Sequence, residues 1–406
     1  MITIMRFKRP AKKIIFGTLM VLVLLVLLAL AVSKLRWLLT EFIAPTHRPA
    51  QIINSNEPVA TEIFFSNEGG RENPSQTIIK EIDKAQKTLE IAMYSFKSVA
   101  IREAIYRANL RGVKVTLVLD WHKRAEHDIF LSDWPIGIRR LDLGGASNVG
   151  GTALMHHKFA LIDRDRPNQK LIFGSFNWTQ LQEEYDRSFF LVTGDAELVK
   201  SFGREFDRLT SGTSGPQKLK NKNYHPWDLT LTAAGYDYEV WFGPGRAGEN
   251  IDYRILELLR EAKKDIKIMV WDFTDQALAK EIVRRAQAGL KIIIIADNLN
   301  FYNKNSVFNY LLSTKAELNL ANLEILINNV VNDKKGETVD PFLHYHLLII
   351  DEQKILFGTN NWSQGGSFFN DESAIVTDDP QILTNFKKSF QYNYQQGRVA
   401  PAQVRY

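Results

Sequence analysis

Beyond about residue 58 the chain alternates between two kinds of apolar spacing. The runs 159–162 and 347–350 are apolar throughout and have the length of buried strands. The stretches 75–87 and 251–264 instead place apolar residues at helical spacing, Ile78, Ile79 and Ile82 among them. Strands alternating with helices of that length predict α/β layers. The order strand, helix, strand, motif strands and closing helix occurs twice. Residues 92–96 match 269–273, and 112–120 match 289–297, both at an offset of 177 residues. Further on, 190–193 match 374–377. This predicts a first half over 59–209, a connector over 210–234 rich in Ser, Gly, Lys, Asn and Pro, a second half over 235–395, and a tail over 396–406. The second half carries a longer insert, 299–340, ahead of its apolar run, which could form a lid or a substrate-facing loop.

The N-terminus has a different pattern. Residues 14–32 are uncharged and dominated by Leu and Val, about the length that crosses a bilayer. The segment 1–13 before them holds Arg6, Lys8, Arg9, Lys12 and Lys13. The expectation is a single-pass anchor with its N-terminus cytoplasmic and the catalytic region outside. A cleavable signal is the alternative, since Ala29-Leu30-Ala31 has the small residues of a cleavage site. Residues 33–58, with Pro45, Pro49 and Pro58, read as a tether.

Charge follows the same division. The net charge is +5, but residues 1–36 hold seven cations and no acid, which leaves the rest near −2. A nucleic-acid-binding domain is usually basic, so the balance weighs for a lipid partner. The local run around Lys218–Lys222 reads as solvated connector. Cysteine is absent, which excludes disulfides and a thiol nucleophile.

The chemistry sits on the repeat. His156, Lys158 and Asp163 are followed by Gly174, Ser175, Asn177 and Trp178; His344, His346 and Asp351 are followed by Gly358, Thr359, Asn361 and Trp362. Residues i and i+2 of a strand share a face, so His156 points with Lys158, and His344 with His346. Gly174 and Gly358 mark reversals that return Ser175/Asn177 and Thr359/Asn361 beside the histidines. Two histidines, a cation and several neutral donors suit a phosphodiester. One imidazole would attack phosphorus; the other would protonate the leaving oxygen and later activate water. Trp178 and Trp362 read as packing residues, and Trp121 and His122 could line the entrance. His157 should face the other side of its strand.

The duplicated His-x-Lys-x4-Asp with its Gly-[Ser/Thr]-x-Asn tail resembles the phospholipase D superfamily, over roughly residues 58–395. The resemblance implies two similar α/β halves, each a mixed sheet flanked by helices, with the active site at their interface. It implies no metal and no cofactor, a covalent phosphohistidine, and His156 and His344 as nucleophile and acid in either order. Lys158, Ser175, Asn177, Thr359 and Asn361 become phosphate contacts. The motif residues His346, Asp163 and Asp351 complete the catalytic set, the two aspartates more as structural partners than as chemical actors. An acid that orients a histidine belongs about a dozen residues after the Asn. Glu372 fits in the second half, whereas the first offers Ser188 with Asp186 and Glu184 nearby. His346 stands where the family has lysine. A zinc pair of His344 and His346 lacks a third ligand at helical spacing. The implied substrate is a membrane glycerophospholipid, hydrolysed or transferred to another alcohol by a monomeric catalytic unit. Two alternatives remain: an endonuclease of the same superfamily, and a phosphate- or lipid-binding scaffold that has lost turnover.

Overall fold

The computed structural model describes residues 61–68, 73–132, 137–146, 152–233, 236–329, 331–332 and 338–404. The predicted anchor, basic segment and tether lie outside them. Among the described residues no helix is long and apolar enough to cross a membrane.

The first half runs β1 (Glu62–Phe65), α1 (Pro74–Lys84), β2 (Thr88–Met93), α2 (Val99–Leu110), β3 (Lys114–Asp120), α3 (Arg124–Phe130), β4 (Arg139–Ala146), β5 (Thr152–Leu154), β6 (Lys158–Ile162), β7 (Lys170–Gly174), α4 (Gln180–Glu184), β8 (Phe189–Thr193) and α5 (Ala196–Thr210). The second runs β9 (Trp227–Ala233), β10 (Tyr236–Phe242), α6 (Ile251–Glu261), β11 (Asp265–Val270), α7 (Gln276–Gln287), β12 (Lys291–Ala296), α8 (Asn298–Phe301), α9 (Phe308–Glu317), β13 (Leu323–Ile327), β14 (Val331–Asn332) and β15 (Thr338–Val339). It closes with β16 (His346–Ile350), β17 (Lys354–Gly358), α10 (Gln364–Phe368), β18 (Ser373–Thr377), α11 (Pro380–Gln396) and β19 (Arg398–Val399).

The repeat extends to the residues that start each helix. Asn73 and Asn250 cap α1 and α6, Ser98 and Asp275 cap α2 and α7, and Asp195 and Asp379 cap α5 and α11. Each side chain takes a backbone amide the first turn cannot satisfy. The first sheet has the order β1-β8-β7-β6-β2-β3-β4-β5, and the second β19-β13-β12-β11-β16-β17-β18-β10-β9. Both are mixed: β2, β3 and β4 are parallel, as are β11, β12 and β13, whereas each motif strand is antiparallel to its neighbours.

Three apolar layers hold this together. Ile78, Ile82, Ile101 and Ile105 cover one face of the first sheet. Ile255, Leu259, Leu278 and Ile282 do the same for the second. Between the sheets α5 and α11 contribute Phe202, Phe206, Phe386 and Phe390 to a core shared with Phe159, Phe173, Leu347 and Phe357 of both motif regions. The motif strands are therefore buried on both faces, which is why they read as unbroken apolar runs.

Three expectations change. The insert 299–340 is mostly fold: α9 and β13 extend the second sheet, β13 pairing parallel with β12. Its apolar run 323–327 continues the strand-helix alternation. The connector is shorter than predicted, because β9 belongs to the second sheet. Part of the tail, β19, pairs with β13.

Gly174 and Gly358 are fixed by contact. A Cβ would stand 2.1 Å from the Phe189 carbonyl oxygen at Gly174, and 2.2 Å from that of Ser373 at Gly358. We expect Gly358→Ala to cost about 2–4 kcal/mol, the scale of forced backbone displacement, and to lower the calorimetric Tm by several degrees. An unchanged Tm would mean the two strands can part at no cost.

Candidate active site

Each motif strand is braced by the other half. The His156 amide donates to the Asp371 carbonyl at 2.9 Å, and the Asp371 amide returns a bond to the Leu154 carbonyl at 2.8 Å. The His344 amide donates to the Arg187 carbonyl at 2.7 Å, and the Arg187 amide to the Phe342 carbonyl at 2.8 Å. Asp120 and Asp297, at the ends of equivalent strands, accept the Met155 and Leu343 amides at 2.8 and 2.9 Å. These bonds bring His156, Lys158, Ser175, Asn177, His344, His346, Thr359, Asn361 and Glu372 into one buried region at the interface.

The two histidines have unlike partners. His156 Nδ1 lies 2.8 Å from Glu372 Oε2, and His344 Nδ1 lies 2.8 Å from the Ser175 carbonyl oxygen. A carbonyl only accepts, so His344 Nδ1 carries a proton, and Nε2 is left with the lone pair when the ring is neutral. Glu372 is held in turn by the Thr359 hydroxyl at 2.6 Å and by Asn370 Nδ2 at 3.1 Å. Thr359 thus braces the acid, a task different from the phosphate contact expected of it. Ser175 supplies its carbonyl to His344, while its hydroxyl accepts the Phe189 amide at 3.2 Å.

Burial dominates the electrostatics. It holds His156 and His344 well below the ordinary imidazole range, helped by the Lys158 charge. It brings Lys158 down to about 7 against the pull of Glu372 and Asp120. It raises Glu372 to about 7 against Lys158 and its hydrogen-bond donors. An arriving phosphate anion would reverse this for the cations, restoring charge to Lys158 and to an imidazole. Lys158 Nζ sits 2.8 Å from the His156 carbonyl and 5.3 Å from the centre of the Tyr94 ring, which also packs edge-on against His156 at 4.7 Å. His346 is buried, its ring centre 5.4 Å from that of His344, with both nitrogens lacking a hydrogen-bond partner. Asn177 Oδ1 and Asn361 Oδ1 also lack one.

Asp163 and Asp351 lie elsewhere. Strand β6 spans five residues, which separates Asp163 from Lys158 by about 16 Å. Asp163 accepts the backbone amides of Gln86, Lys87 and Thr88; Asp351 accepts those of Lys263, Lys264 and Asp265. They tie a helix-to-strand turn in each half and take no part in the cleft. Both have positive φ, 49° and 52°. In the first half Ser188 stands in the place of Glu372 and bonds the Ser66 hydroxyl at 2.9 Å. Asp186 caps the Phe342 amide at 2.9 Å, and Glu184 bonds Gln180 on an exposed turn. The first half thus has no counterpart of Glu372. Trp178 and Trp362 are packed in the core, as expected.

Lys218 overturns its reading as solvated connector. It is fully buried, and its ammonium contacts Glu205 and, at 2.6 Å, Asp371. Glu205 also pairs with His157 Nε2 at 3.0 Å and Arg208 at 2.5 Å, and His157 Nδ1 meets the Ser373 hydroxyl at 2.6 Å. His157, Glu205 and Asp371 have the donor set of a cation site, and Lys218 supplies the cation. The cluster sits directly behind His156. Asp120 and Asp297 could have been found from their shared offset; nothing in the sequence signals Lys218.

The chain is similar to known proteins in sequence and in fold. A family model described as cardiolipin synthase, PLD-like domain, matches residues 78–210 and 255–394. Mitochondrial cardiolipin hydrolase of Danio rerio is 30% identical over 148 residues, covering 36% of this chain and 61% of that protein. A phospholipase D of Rickettsia felis is 30% identical over 125 residues, covering 31% and 58%. The chain thus spans about three fifths of the length of these relatives. The crystal structure of phosphatidylserine synthase from Haemophilus influenzae superposes with a TM-score of 0.64 at 17% identity, over 85% of this chain and 90% of that one. It shares the fold.

Lys218→Met leaves Asp371 buried without its cation and Glu205 with Arg208 alone. The expected loss is about 3–5 kcal/mol at neutral pH, read by thermal or urea unfolding. In the native protein Lys218 helps hold Glu205 below its ordinary value, so that contribution is present above the unfolded pKa and fades as pH falls. In the variant the folded-state carboxyl pKa values rise above the unfolded ones, and stability grows as pH falls. The Tm gap should therefore narrow from pH 8 to pH 5; a constant gap would contradict the assignment.

Proposed function

We infer the activity of this protein from one premise: the chain belongs to the phospholipase D superfamily. The reading is a phosphodiesterase that cleaves glycerophospholipids through a covalent phosphohistidine, with no metal or cofactor. The observation that carries it is the pair of unlike histidines in one buried cleft, one held by a carboxyl and the other by a carbonyl.

The difference in partners supports one order of roles. With Nδ1 directed to Glu372, His156 presents Nε2 to phosphorus. Attack forms a P–N bond and makes the ring cationic, which the carboxylate at Nδ1 stabilises. The P–O bond to the head-group alcohol breaks, and His344, made cationic by a proton taken up at Nε2 when the phosphate binds, gives that proton to the leaving oxygen. A neutral carbonyl partner suits this role, since it does not hold the imidazolium against proton release. Water then attacks phosphorus, His344 takes its proton, and the P–N bond breaks to release phosphatidate. A second alcohol in place of water would give a new phosphodiester by the same steps. Lys158 and the amides of Asn177 and Asn361 would hold the non-bridging oxygens as charge builds on them.

Several features favour a lipid over a nucleic acid. The relatives are named cardiolipin hydrolase and phospholipase D. The chain beyond residue 36 is slightly acidic, and the uncharged stretch 14–32 would anchor it with the catalytic region outside the cytoplasm. The test is incubation of the full chain with phosphatidylglycerol-containing mixed micelles and EDTA, with single-stranded DNA in parallel. Head-group release should occur and be lost in His156→Ala and His344→Ala. Glu372→Gln should lower kcat by about 10²–10⁴ with little change in KM. DNA cleavage without lipid turnover would replace this reading with a nuclease. Lipid binding without any product would indicate a scaffold.

A further inference from the structure

We propose that the mouth of the cleft is an interfacial docking surface for an anionic phospholipid bilayer, with Trp121 and Leu299 inserting on opposite sides. This rests on the lipid reading above and concerns a surface which that reading does not use.

The parallel strands of both sheets end at the catalytic edge. Asp120 ends β3 and holds the amide preceding His156; Asp297 follows β12 and holds the amide preceding His344. The chain then turns outward in each half, and the residues it presents there are apolar. Trp121 is 48% exposed and Leu299 57% exposed. They come from equivalent turns, so one stands on each flank of the cleft. Lys123, two residues on, reaches back to within 5.8 Å of the Tyr94 ring centre, and Tyr94 packs on His156. Trp121 is thus a short step from the reacting histidine.

More apolar surface gathers at this edge. Val99 begins the helix whose cap, Ser98, donates its amide to the carbonyl of Trp178, next to Asn177. Leu181 follows the first motif's tail, and its carbonyl accepts the Asp186 amide. Ile129 is exposed on α3, close after Trp121. A soluble protein scatters such residues singly; a group of them around a polar opening marks an interaction site.

Charge chooses the occupant. Lys123 and Arg124 follow Trp121 closely in the chain, and with Lys97 they outnumber Glu126 and Asp128, with which they pair. On the other flank Lys304 and Arg398 stand against Asp340, the last two both bonded to the Asn298 side chain. Tryptophan and leucine beside lysine and arginine match the boundary between acyl chains and anionic head groups. The scissile bond of a phospholipid lies at that boundary, so a buried cleft reaches it only if its rim enters the head-group layer.

The test separates interface from chemistry. Full chain in nonionic detergent is given long-chain phosphatidylglycerol in mixed micelles, or dibutanoyl phosphatidylglycerol as a dissolved monomer. Trp121→Ser with Leu299→Ser should lower kcat/KM on the micelles at least tenfold and on the monomer less than twofold. Leu110→Ser with Leu318→Ser, exposed at the far ends of their helices, should change neither. Parallel loss on both substrates, or no loss on micelles, would overturn the proposal. An unsubstituted chain that turns over the monomer but gains nothing from the micelle would also overturn it, with the lipid reading intact. Inactivity on both lipids would overturn the lipid reading and the docking surface together.

Discussion

Everything at the centre of this protein depends on four backbone hydrogen bonds that cross between its halves. The amides of His156 and His344 are each bound by a carbonyl from the other repeat, and the amides of Asp371 and Arg187 reciprocate. Neither motif is therefore complete within its own half. The residue after Asp371 is Glu372, so the bond that fixes the His156 backbone also delivers the carboxyl that meets its ring. Small shifts between the sheets would be felt at Nε2 at once. The aromatic layer of Phe159, Phe173, Phe357 and Phe386 between the sheets resists such shifts by close packing.

That rigidity makes the burial of so many ionisable groups tolerable. Lys158, Glu372, His156, His344 and His346 all sit in the same low-dielectric region, and burial suppresses the charged form of each. Left alone, such a site is nearly neutral and ill-suited to water. An anion restores the charges it needs. Binding and charging then become one event, and the free energy of desolvation is recovered only with a phosphate-like ligand in place.

Much of this was legible in the chain. Repeated offsets gave two α/β halves, because packing needs the same apolar faces and the same capping residues in both copies. Glu372 was legible through the resemblance, which implies an acid about a dozen residues after Asn361, and Asp163 and Asp351 from their place at the end of apolar runs. The failures share a cause, which is that long-range partners leave no local trace. Lys218 lies in a charged, Gly- and Ser-rich stretch that looks solvated; only the fold reveals Glu205 and Asp371 around its ammonium. The resemblance makes Thr359 a phosphate contact, whereas its hydroxyl donates to Glu372 at 2.6 Å. The insert was read as a loop because its aromatic and Asn-rich flanks outweighed the short apolar run that became β13.

Duplication alone would give two equivalent histidines, and an equivalent pair has no preferred direction of attack. Here the equivalence is broken on both sides of the motif strands. In front, Glu372 serves His156 while Ser188 occupies the matching place, and Lys158 faces His346. Behind, matching positions carry opposite charge. Asp371 is neutralised with Glu205 by Lys218, whereas Arg187 bonds Asn393 and lies near Glu68, whose carboxyl receives Tyr345, Ser389 and Asn393. The rear of the His156 strand is therefore a closed cluster of ion pairs, and the rear of the His344 strand holds Arg187 near a carboxyl that hydroxyl and amide donors bind. The two halves thus differ both in front of the motif strands and behind them, and duplication of the fold has not kept the two histidines equivalent.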